Sequence, residues 1–247
     1  MKEAIQVRGL TKSYGSHMVL KGLDIQIEKG EIFARLGYDS GAVTVNGKTG
    51  IQLQSSSLPA HIRPMEAVKL FAKWNRTKID QAMLDGLGIQ QMEKKQYLQL
   101  STGQKRRLHL ALALVGDPDV IFLDEPTAGL DVEGRLSLHE QIRNLRARGK
   151  TIVLASHDMA EVETLCDRSA ILNNGTIVFC GTASELTDKV GRKYFIHIRT
   201  QQGENIFETD NIEDTLITLL GGLKQKKIHV SDIKVDRGTL EQHFIEM

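Results

Sequence analysis

The stretch Val120-Ile-Phe-Leu-Asp-Glu125 predicts the centre of the fold. Its first four residues are all apolar, which is typical of a strand buried on both faces of a parallel sheet. Asp124 and Glu125 follow at the carboxyl end, where open α/β sheets bind their ligands. A carboxylate there can hold Mg²⁺, and a second one can orient or deprotonate a water that attacks a terminal phosphate. We therefore predict a metal-binding role for Asp124 and a catalytic role for Glu125; the alternative is a solvated pair of strand-end acids.

Upstream of this strand, Leu100-Ser-Thr-Gly-Gln104 opens a predicted helix near 102–115. Ser101 and Gln104 have the spacing of a capping box, so the segment has a purely structural explanation. Gly103 argues for more, because glycine has no merit in a helical turn and allows a ligand to approach the backbone closely. The free N–H groups at a helix start favour an anion. We therefore predict that Ser101, Gly103 and Gln104 face a phosphate.

A histidine follows the next predicted strand of the core. His157 lies two residues beyond the strand 151–155, which places it on the same carboxyl edge of the sheet as Glu125. A single histidine is more often structural, but this location suits contact with a γ-phosphate. His157 is therefore the second candidate catalytic residue.

The order of the predicted elements is that of a parallel α/β core. Strands dominate the N-terminal fifth, helical periodicity marks 64–97, and helices and strands then alternate near 102–115, 120–123, 133–148, 151–155 and 168–180. From about residue 193, a new alternation of apolar residues predicts a small separate α/β unit. We predict two domains, 1–190 with a helical insert at about 58–104, and 191–247.

Composition and charge exclude several classes of protein. Lys+Arg 32 against Asp+Glu 31 leaves a net charge of +1, so no basic excess indicates nucleic acid or anionic lipid as the main partner. No uncharged apolar run approaches the roughly 20 residues of a membrane-spanning helix, and the first residues do not resemble a signal peptide. Cys166 and Cys180 lack metal-like spacing, so we expect buried, reduced thiols. The chain is expected in the cytosol.

Four segments together resemble the motifs of ATP-binding cassette (ABC) transporter ATPases. They are similar to the signature motif, the Walker B strand, the D-loop and the switch histidine, and in chain order they are Leu100–Gln104, Val120–Glu125, Gly129–Asp131 and Ser156–His157. Lys12-Ser-Tyr14-Gly resembles the segment that stacks on adenine, and Gly50-Ile-Gln-Leu-Gln54 resembles the Q-loop. The closing segment 238–244 resembles the end of the C-terminal appendage in exporter ATPases of the ABC-2 type. The resemblance covers nearly the whole chain.

The resemblance implies an α/β fold and roles for three further residues. The fold is a P-loop NTPase-like ABC ATPase core with an N-terminal antiparallel β subdomain, a helical insert and a small C-terminal α/β appendage. Tyr14 would stack on adenine, Gln54 would ligate Mg²⁺ and couple nucleotide state to the insert, and Asp131 would cross a dimer interface. Each has a structural alternative: a lid on the core for Tyr14, an exposed strand-end residue for Gln54, and a helix cap for Asp131.

The resemblance also implies a function and its partners. A subunit of this kind binds ATP with Mg²⁺ and hydrolyses it at an interface with a second ATPase subunit, in a homodimer or a heterodimer. Hydrolysis drives export through membrane-spanning permease subunits, with the chain on the cytoplasmic face of the cell membrane. The alternative is a regulatory or structural subunit without turnover. A third hypothesis is a soluble ABC protein that acts on ribosomes or DNA. The near-neutral net charge disfavours it, so no nucleic-acid partner is expected.

The phosphate-binding loop of the family is absent from this sequence. The resemblance places a G-x-x-x-x-G-K-[ST] loop and a helix directly after Gly37, but Tyr38-Asp-Ser-Gly41 and a predicted strand follow instead. About 20 residues are lacking, by the length of a loop plus a crossover helix. Either the 247 residues lack segments of a longer, intact protein, or the loop is deleted.

A false match to the phosphate loop lies a few residues further on. Gly47-Lys48-Thr49 reproduces the last three letters of the motif, but the glycine required at position 42 is alanine. The intervening residues 43–45 are strand formers. We therefore interpret this segment as a turn next to a strand and not as a phosphate site.

Overall fold

The computed structural model describes residues 3–15, 17–34, 40–54, 56–190, 194–201 and 203–237. The chain divides into two compact units, Met1–Cys180 and Gly181–Met247. The division lies about ten residues before residue 190, where the sequence predicts the domain boundary. The identities of the two parts, an ATPase domain and an appendage, stay predictions. The predicted closing motif at 238–244 lies outside the described residues.

The first unit contains most of the strands and helices. Its strands are β1 (Glu3–Tyr14), β2 (His17–Glu28), β3 (Ile32–Ala34), β4 (Ser40–Val45), β5 (Thr49–Gln52), β6 (Val120–Asp124), β7 (Thr151–Ala155), β8 (Arg168–Asn173) and β9 (Thr176–Gly181). Its helices are α1 (Pro64–Trp74), α2 (Gln81–Gly86), α3 (Thr102–Leu114), α4 (Val132–Ala147) and α5 (Met159–Leu165), with short 3₁₀ helices at Gln90–Met92 and Tyr97–Gln99.

A six-stranded sheet with the order β5-β6-β7-β3-β8-β9 forms the core. Strands β5, β6, β7, β3 and β8 pair in parallel. Ile121 and Leu123 face a cluster that includes Leu108 of α3, whereas Val120 packs with residues of β1 and β2 on the other face. The strand is therefore buried on both sides, as its uninterrupted apolar run predicted.

The N-terminal strands form a second sheet, which is antiparallel. Its order is β2-β1-β4, and Ile5 and Val7 of β1 are buried while Gln6 between them is only partly buried. The predicted helical insert is present as α1, α2 and the two 3₁₀ helices. Both features confirm the α/β architecture expected from the sequence.

The second unit is a small α/β unit. It consists of α6 (Ala183–Val190), β10 (Tyr194–Thr200), β11 (Gly203–Thr209), α7 (Ile212–Gln225) and β12 (Val230–Arg237), with the antiparallel order β11-β10-β12. Strand β11 was not predicted, because Glu204 and Glu208 interrupt its apolar pattern. Helices long and apolar enough to cross a membrane are absent from the described ranges.

The two cysteines are free, and one of them corrects the sequence analysis. Cys166 is half-buried, and burial raises the pKa of its thiol to about 12. Cys180 is exposed, because it points away from the core on β9. The expectation that both thiols are buried is therefore wrong for Cys180.

Candidate functional site

The parallel pairing of β6 and β7 brings Glu125 and His157 into contact. Asp124, the last residue of β6, lies beside Ala155, and the Glu125 N–H donates to the Ala155 carbonyl at 2.8 Å. The Nδ1 atom of His157 lies 2.8 Å from Oε1 of Glu125. The His157 backbone N–H donates to the same oxygen at 3.0 Å. The Glu125 side chain is 15% exposed and that of His157 is 83% exposed, so a mostly buried carboxylate contacts an imidazole that is open to solvent.

The backbone at Glu125 adopts a conformation that is rare for a residue with a side chain. Its φ of 46° lies in the left-handed region, which costs on the order of 1–3 kcal/mol for residues other than glycine. The hydrogen bonds of Glu125 with Ala155 and Ala128 hold it there. This turn directs the carboxylate back toward the strand end where His157 lies.

The Glu125 contact makes the His157 imidazole more basic. The hydrogen bond from the imidazole and the negative charge of the carboxylate hold the pKa of His157 above its usual value of about 6.5. Because the folded-state pKa is the higher one, the stabilising contribution is fully present below the pKa of the unfolded chain. It is lost as the pH rises through the folded-state pKa.

We expect Glu125→Gln to move the pKa of His157 back toward its usual value, because the charge that favours imidazolium is removed. An NMR titration of the histidine side chains measures this. Glu140→Gln is the matched control, because Glu140 is exposed on α4 and should leave the titration of His157 unchanged. Equal midpoints for His157 in the wild-type and Glu125→Gln proteins would contradict the contact.

Oxygen donors suitable for Mg²⁺ lie at the same edge. The Asp124 carboxylate is half-buried and makes no hydrogen bond or ion pair within the described part of the chain. Gln54 follows β5, the neighbour of β6, and is exposed. Among the described residues, no group of three or more His, Cys, Asp or Glu is arranged to hold a metal ion. Mg²⁺ at Asp124 and Gln54 would therefore need phosphate oxygens and water as its other ligands, which is its usual preference.

The signature segment begins α3 with a complete capping box. Gln104 N–H donates to Ser101 Oγ at 3.2 Å, and Ser101 N–H donates to Gln104 Oε1 at 3.1 Å. The predicted capping box is therefore confirmed. Gly103 has no such structural reason, since a Cβ there would meet only Leu130 Cδ2, at an ordinary 3.6 Å. The fold itself therefore does not require glycine at this position, and the role of Gly103 in facing a phosphate stays a prediction.

We expect Gly103→Ala to leave the free energy of unfolding unchanged or to raise it by up to about 1 kcal/mol, because alanine favours a helix. Gly50→Ala is the matched control. A Cβ at Gly50 would lie 2.1 Å from the Ala113 carbonyl oxygen, so this change should destabilise the chain by about 1–3 kcal/mol. Denaturant unfolding measures both. A loss of stability in Gly103→Ala as large as that in Gly50→Ala would show that the fold does require this glycine.

The D-loop segment and the signature segment share one cavity. Asp131 Oδ1 accepts a hydrogen bond from the Gly134 N–H at 2.8 Å, so Asp131 caps α4. The helix cap is the structural role that the sequence predicted for Asp131 as an alternative. A cavity of about 500 Å³ is lined by both segments, and its walls include Ser101, Gly103, Gln104, Gly129 and Asp131. The structure therefore brings four predicted site residues together here: Ser101, Gly103, Gln104 and Asp131.

The other predicted site residues do not line this cavity. Asp124, Glu125 and His157 lie at the carboxyl edge of the core sheet and form the strand-edge group. Gln54 lies just beyond the end of β5, the strand next to β6. Tyr14 lies at the end of β1, where the residue is 69% exposed and Lys12 Nζ lies 4.8 Å from the centroid of its ring. An exposed ring is available for stacking on a base, and the adenine-binding role of Tyr14 stays a prediction.

The sequence analysis missed Arg106, which connects the two groups. Its guanidinium donates to the Gln54 carbonyl at 3.0 Å and to the Ala128 carbonyl at 3.5 Å. It therefore joins the Q-loop segment to the segment between Glu125 and Asp131. A signal was present, because Lys105, Arg106 and Arg107 place positive charge near a helix start, where the helix dipole disfavours it.

The false phosphate motif, Gly47-Lys48-Thr49, lies at the amino-terminal end of the parallel strands, whereas Glu125 and His157 lie at their carboxyl end. Lys48 N–H donates to Asp119 Oδ2 at 2.9 Å, and Lys48 Nζ donates to the Gly116 carbonyl at 3.4 Å. Asp119 precedes β6, whereas Asp124 ends it, and a strand of this length spans about 13 Å. The segment is a bend that leads into β5, as interpreted from the sequence, and the absence of a phosphate site there stays a prediction.

The phosphate loop that the resemblance implies would lie between β3 and β4. Strand β3 ends at Ala34 and β4 begins at Ser40, so five residues separate them, all outside the described residues. Five residues cannot contain an eight-residue motif followed by a helix. The short connection joins two different sheets, because β4 pairs with β1 and not with a strand of the core.

Comparisons with known proteins identify the family. The model of the family described as ABC transporter matches residues 32–128. The Nod factor export ATP-binding protein I of a Rhizobium species is 33% identical over 224 residues, covering 76% of this chain and 74% of its own length. The linearmycin resistance ATP-binding protein LnrL of Bacillus subtilis is 27% identical over 270 residues, covering 94% of this chain and 84% of its own length.

One relative matches this chain over more positions than the chain has residues. An ABC transporter ATP-binding protein of Methanocaldococcus jannaschii is 29% identical over the full length of both proteins. That comparison spans 270 positions for the 247 residues of this chain, so at least 23 positions have no counterpart here. This difference agrees with the absence of about 20 residues around a phosphate loop.

Solved structures show the same fold. The ADP-bound form of an ATP-binding cassette of an ABC transporter matches with a TM-score of 0.64 at 18% identity, covering 75% of this chain and 93% of that chain. A nucleotide-free cassette matches with a TM-score of 0.64 at 19% identity, covering 74% and 93%. The motifs, the sheet order and the relatives agree: the chain belongs to the ABC transporter family and is an ATP-binding subunit of that family.

Proposed function

We propose that this chain is the ATP-binding subunit of an ABC exporter, in which Mg-ATP bound at an interface with a second ATPase subunit is hydrolysed to drive export. The observation that carries the proposal is the contact between Glu125 and His157 at the carboxyl edge of the core sheet. The names of the export and resistance relatives support the direction of transport. Membrane-spanning permease subunits are the proposed partners, with the chain at the cytoplasmic face of the membrane.

The residues at the carboxyl edge of the core sheet have different proposed roles. Glu125 would orient the attacking water and accept its proton, and the contact with Glu125 would hold His157 toward the γ-phosphate. Asp124 and Gln54 would hold Mg²⁺, which neutralises phosphate charge when bound. Tyr14 would stack on adenine.

The residues of the cavity serve a different nucleotide. Ser101, Gly103 and Gln104 present the start of α3, whose N–H groups favour an anion. In the proposed dimer this surface faces the nucleotide of the second subunit, and Asp131 lies at the interface. The cavity group of one subunit and the strand-edge group of the other then enclose one ATP.

The second candidate function is a regulatory or structural subunit that does not hydrolyse ATP. The five-residue connection between β3 and β4 favours it, because five residues are too few for an eight-residue phosphate-loop motif and its helix. Such a subunit would still offer Ser101 to Gln104 to a partner's nucleotide. The two candidates therefore differ at the strand edge and agree at the cavity.

Two measurements separate the candidates. Intact-mass spectrometry of the protein purified from its source shows whether the native chain has the 27.5 kDa of these 247 residues or a few kDa more. A phosphate-release assay then compares the native protein with Glu125→Gln. Hydrolysis that Glu125→Gln abolishes supports the first candidate. Equal release from the two proteins refutes it and leaves the second.

A further inference from the structure

A buried polar network lies directly behind the segment that carries His157. Its members are Ser156, which precedes His157, Glu161 of α5 and His139 of α4. The Glu161 side chain is fully buried and that of His139 is 7% exposed. These residues belong to none of the motifs singled out from the sequence, apart from Ser156.

Glu161 accepts hydrogen bonds with both carboxylate oxygens. Ser156 Oγ donates to Oε2 at 2.6 Å, and His139 Nε2 lies 3.3 Å from Oε1. A carboxylate inside a protein is costly unless such donors satisfy it. The position of Ser156 is therefore determined by Glu161, and that of Glu161 by His139.

Two backbone hydrogen bonds extend the network around His157. Asp158 N–H donates to Ser156 Oγ at 3.1 Å, and Glu161 N–H donates to Asp158 Oδ1 at 3.1 Å, which caps α5. These hydrogen bonds thus hold Ser156 and Asp158, the residues on the two sides of His157, in place. The imidazole itself is open to solvent, so this backbone and Glu125 decide where it lies.

We propose that Glu161 and His139 are positioning residues, which act through Ser156 to hold His157 against Glu125. Because His139 lies on α4, whose cap is Asp131, the network also connects the cavity group to the strand-edge group. The proposal rests on the proposed function only for the role of His157 in hydrolysis. The placement of His157 is a property of the chain without nucleotide.

Other charged and titratable groups surround the network. Arg135 pairs with Asp158 at 3.0 Å on the outer side. The negative charges of Glu161 and Asp167 also raise the pKa of the half-buried Cys166 thiol, although burial is the larger cause. Ser156→Ala leaves all of these charges unchanged, so its effects report position and not charge.

The test is the NMR titration of His157 in nucleotide-free Ser156→Ala, Ser156→Thr and Ile142→Val proteins. In Ser156→Ala, we expect the imidazole of His157 to move away from Glu125. The midpoint of its titration should therefore fall toward the usual histidine value. The midpoint should recover in Ser156→Thr, which keeps the hydroxyl. Ile142→Val trims the buried face of α4 without touching the network, so it should lower the melting temperature alone. An unchanged midpoint in folded Ser156→Ala overturns the proposal.

A second readout tests Glu161 and His139 without relying on charge. The His157 N–H donates to Glu125, so its hydrogen exchange should be faster in Glu161→Gln and His139→Ala than in Ile142→Val. Exchange at the Ile142→Val rate in both variants would reduce the network to a structural one and refute the positioning role. Neither readout needs ATP, so a protein that never hydrolyses ATP can still pass or fail this test.

Discussion

Insertion of a phosphate loop and its helix after Gly37 is expected to raise the affinity of the 247-residue chain for Mg-ATP by about four to six powers of ten. The loop would supply backbone N–H groups and a lysine to the phosphates. Charge-assisted hydrogen bonds contribute about 1.5–3 kcal/mol each, so three of them amount to about 5–9 kcal/mol. Lys48, the lysine of the false motif, cannot replace them, because it lies at the opposite end of the strands.

Isothermal titration calorimetry measures this difference. The unmodified chain is expected to show no saturable binding of Mg-ATP in the micromolar range. An insertion whose motif lysine is alanine serves as the control and should recover only part of the affinity. Micromolar binding by the unmodified chain would show that residues other than a phosphate loop cradle the nucleotide.

In the chain that carries the inserted loop, Glu125→Gln is expected to lower kcat for phosphate release by about two to four powers of ten. Glutamine keeps the size of the side chain and can still accept the His157 N–H, but it cannot take a proton from water. The affinity for ATP should not fall, since no phosphate contact is removed.

The comparison for this second prediction is Glu140→Gln in the same loop-carrying chain. That change removes one exposed carboxylate from α4 and should leave kcat unaltered. A steady-state phosphate-release assay at saturating ATP gives both rates. Turnover in Glu125→Gln equal to that in Glu140→Gln would mean that Glu125 is not the residue that activates water.

The core of the fold was predictable because its signals are local. The apolar run at 120–123 and the cap at Ser101 each identify an element from adjacent residues, and the observed β6 and α3 agree with the predicted elements to within a residue at each end. Parallel pairing then places strand ends side by side, so the shared edge of Glu125 and His157 followed from the strand order. Strand β11 was missed because its residues are mostly polar and exposed.

The interactions that connect the site could not be predicted from local patterns. His139 and Glu161 are 22 residues apart and meet only because α4 packs against α5. Arg106 reaches the Gln54 carbonyl across 52 residues of chain. Such pairs depend on how elements pack: the positive charge at the start of α3 singles out Arg106, but it does not identify the carbonyl groups that Arg106 contacts.

The proposed function requires that Ser101 to Gln104 act on the nucleotide of a partner even in a chain without a phosphate loop. A complementation assay tests it most directly, by mixing the unmodified chain with a loop-carrying chain whose own signature surface is blocked by Gly103→Asp. One partner then supplies the cradle with Glu125 and His157, and the other supplies Ser101 to Gln104. The mixture is predicted to release phosphate well above either protein alone. A mixture no more active than its components would contradict the account.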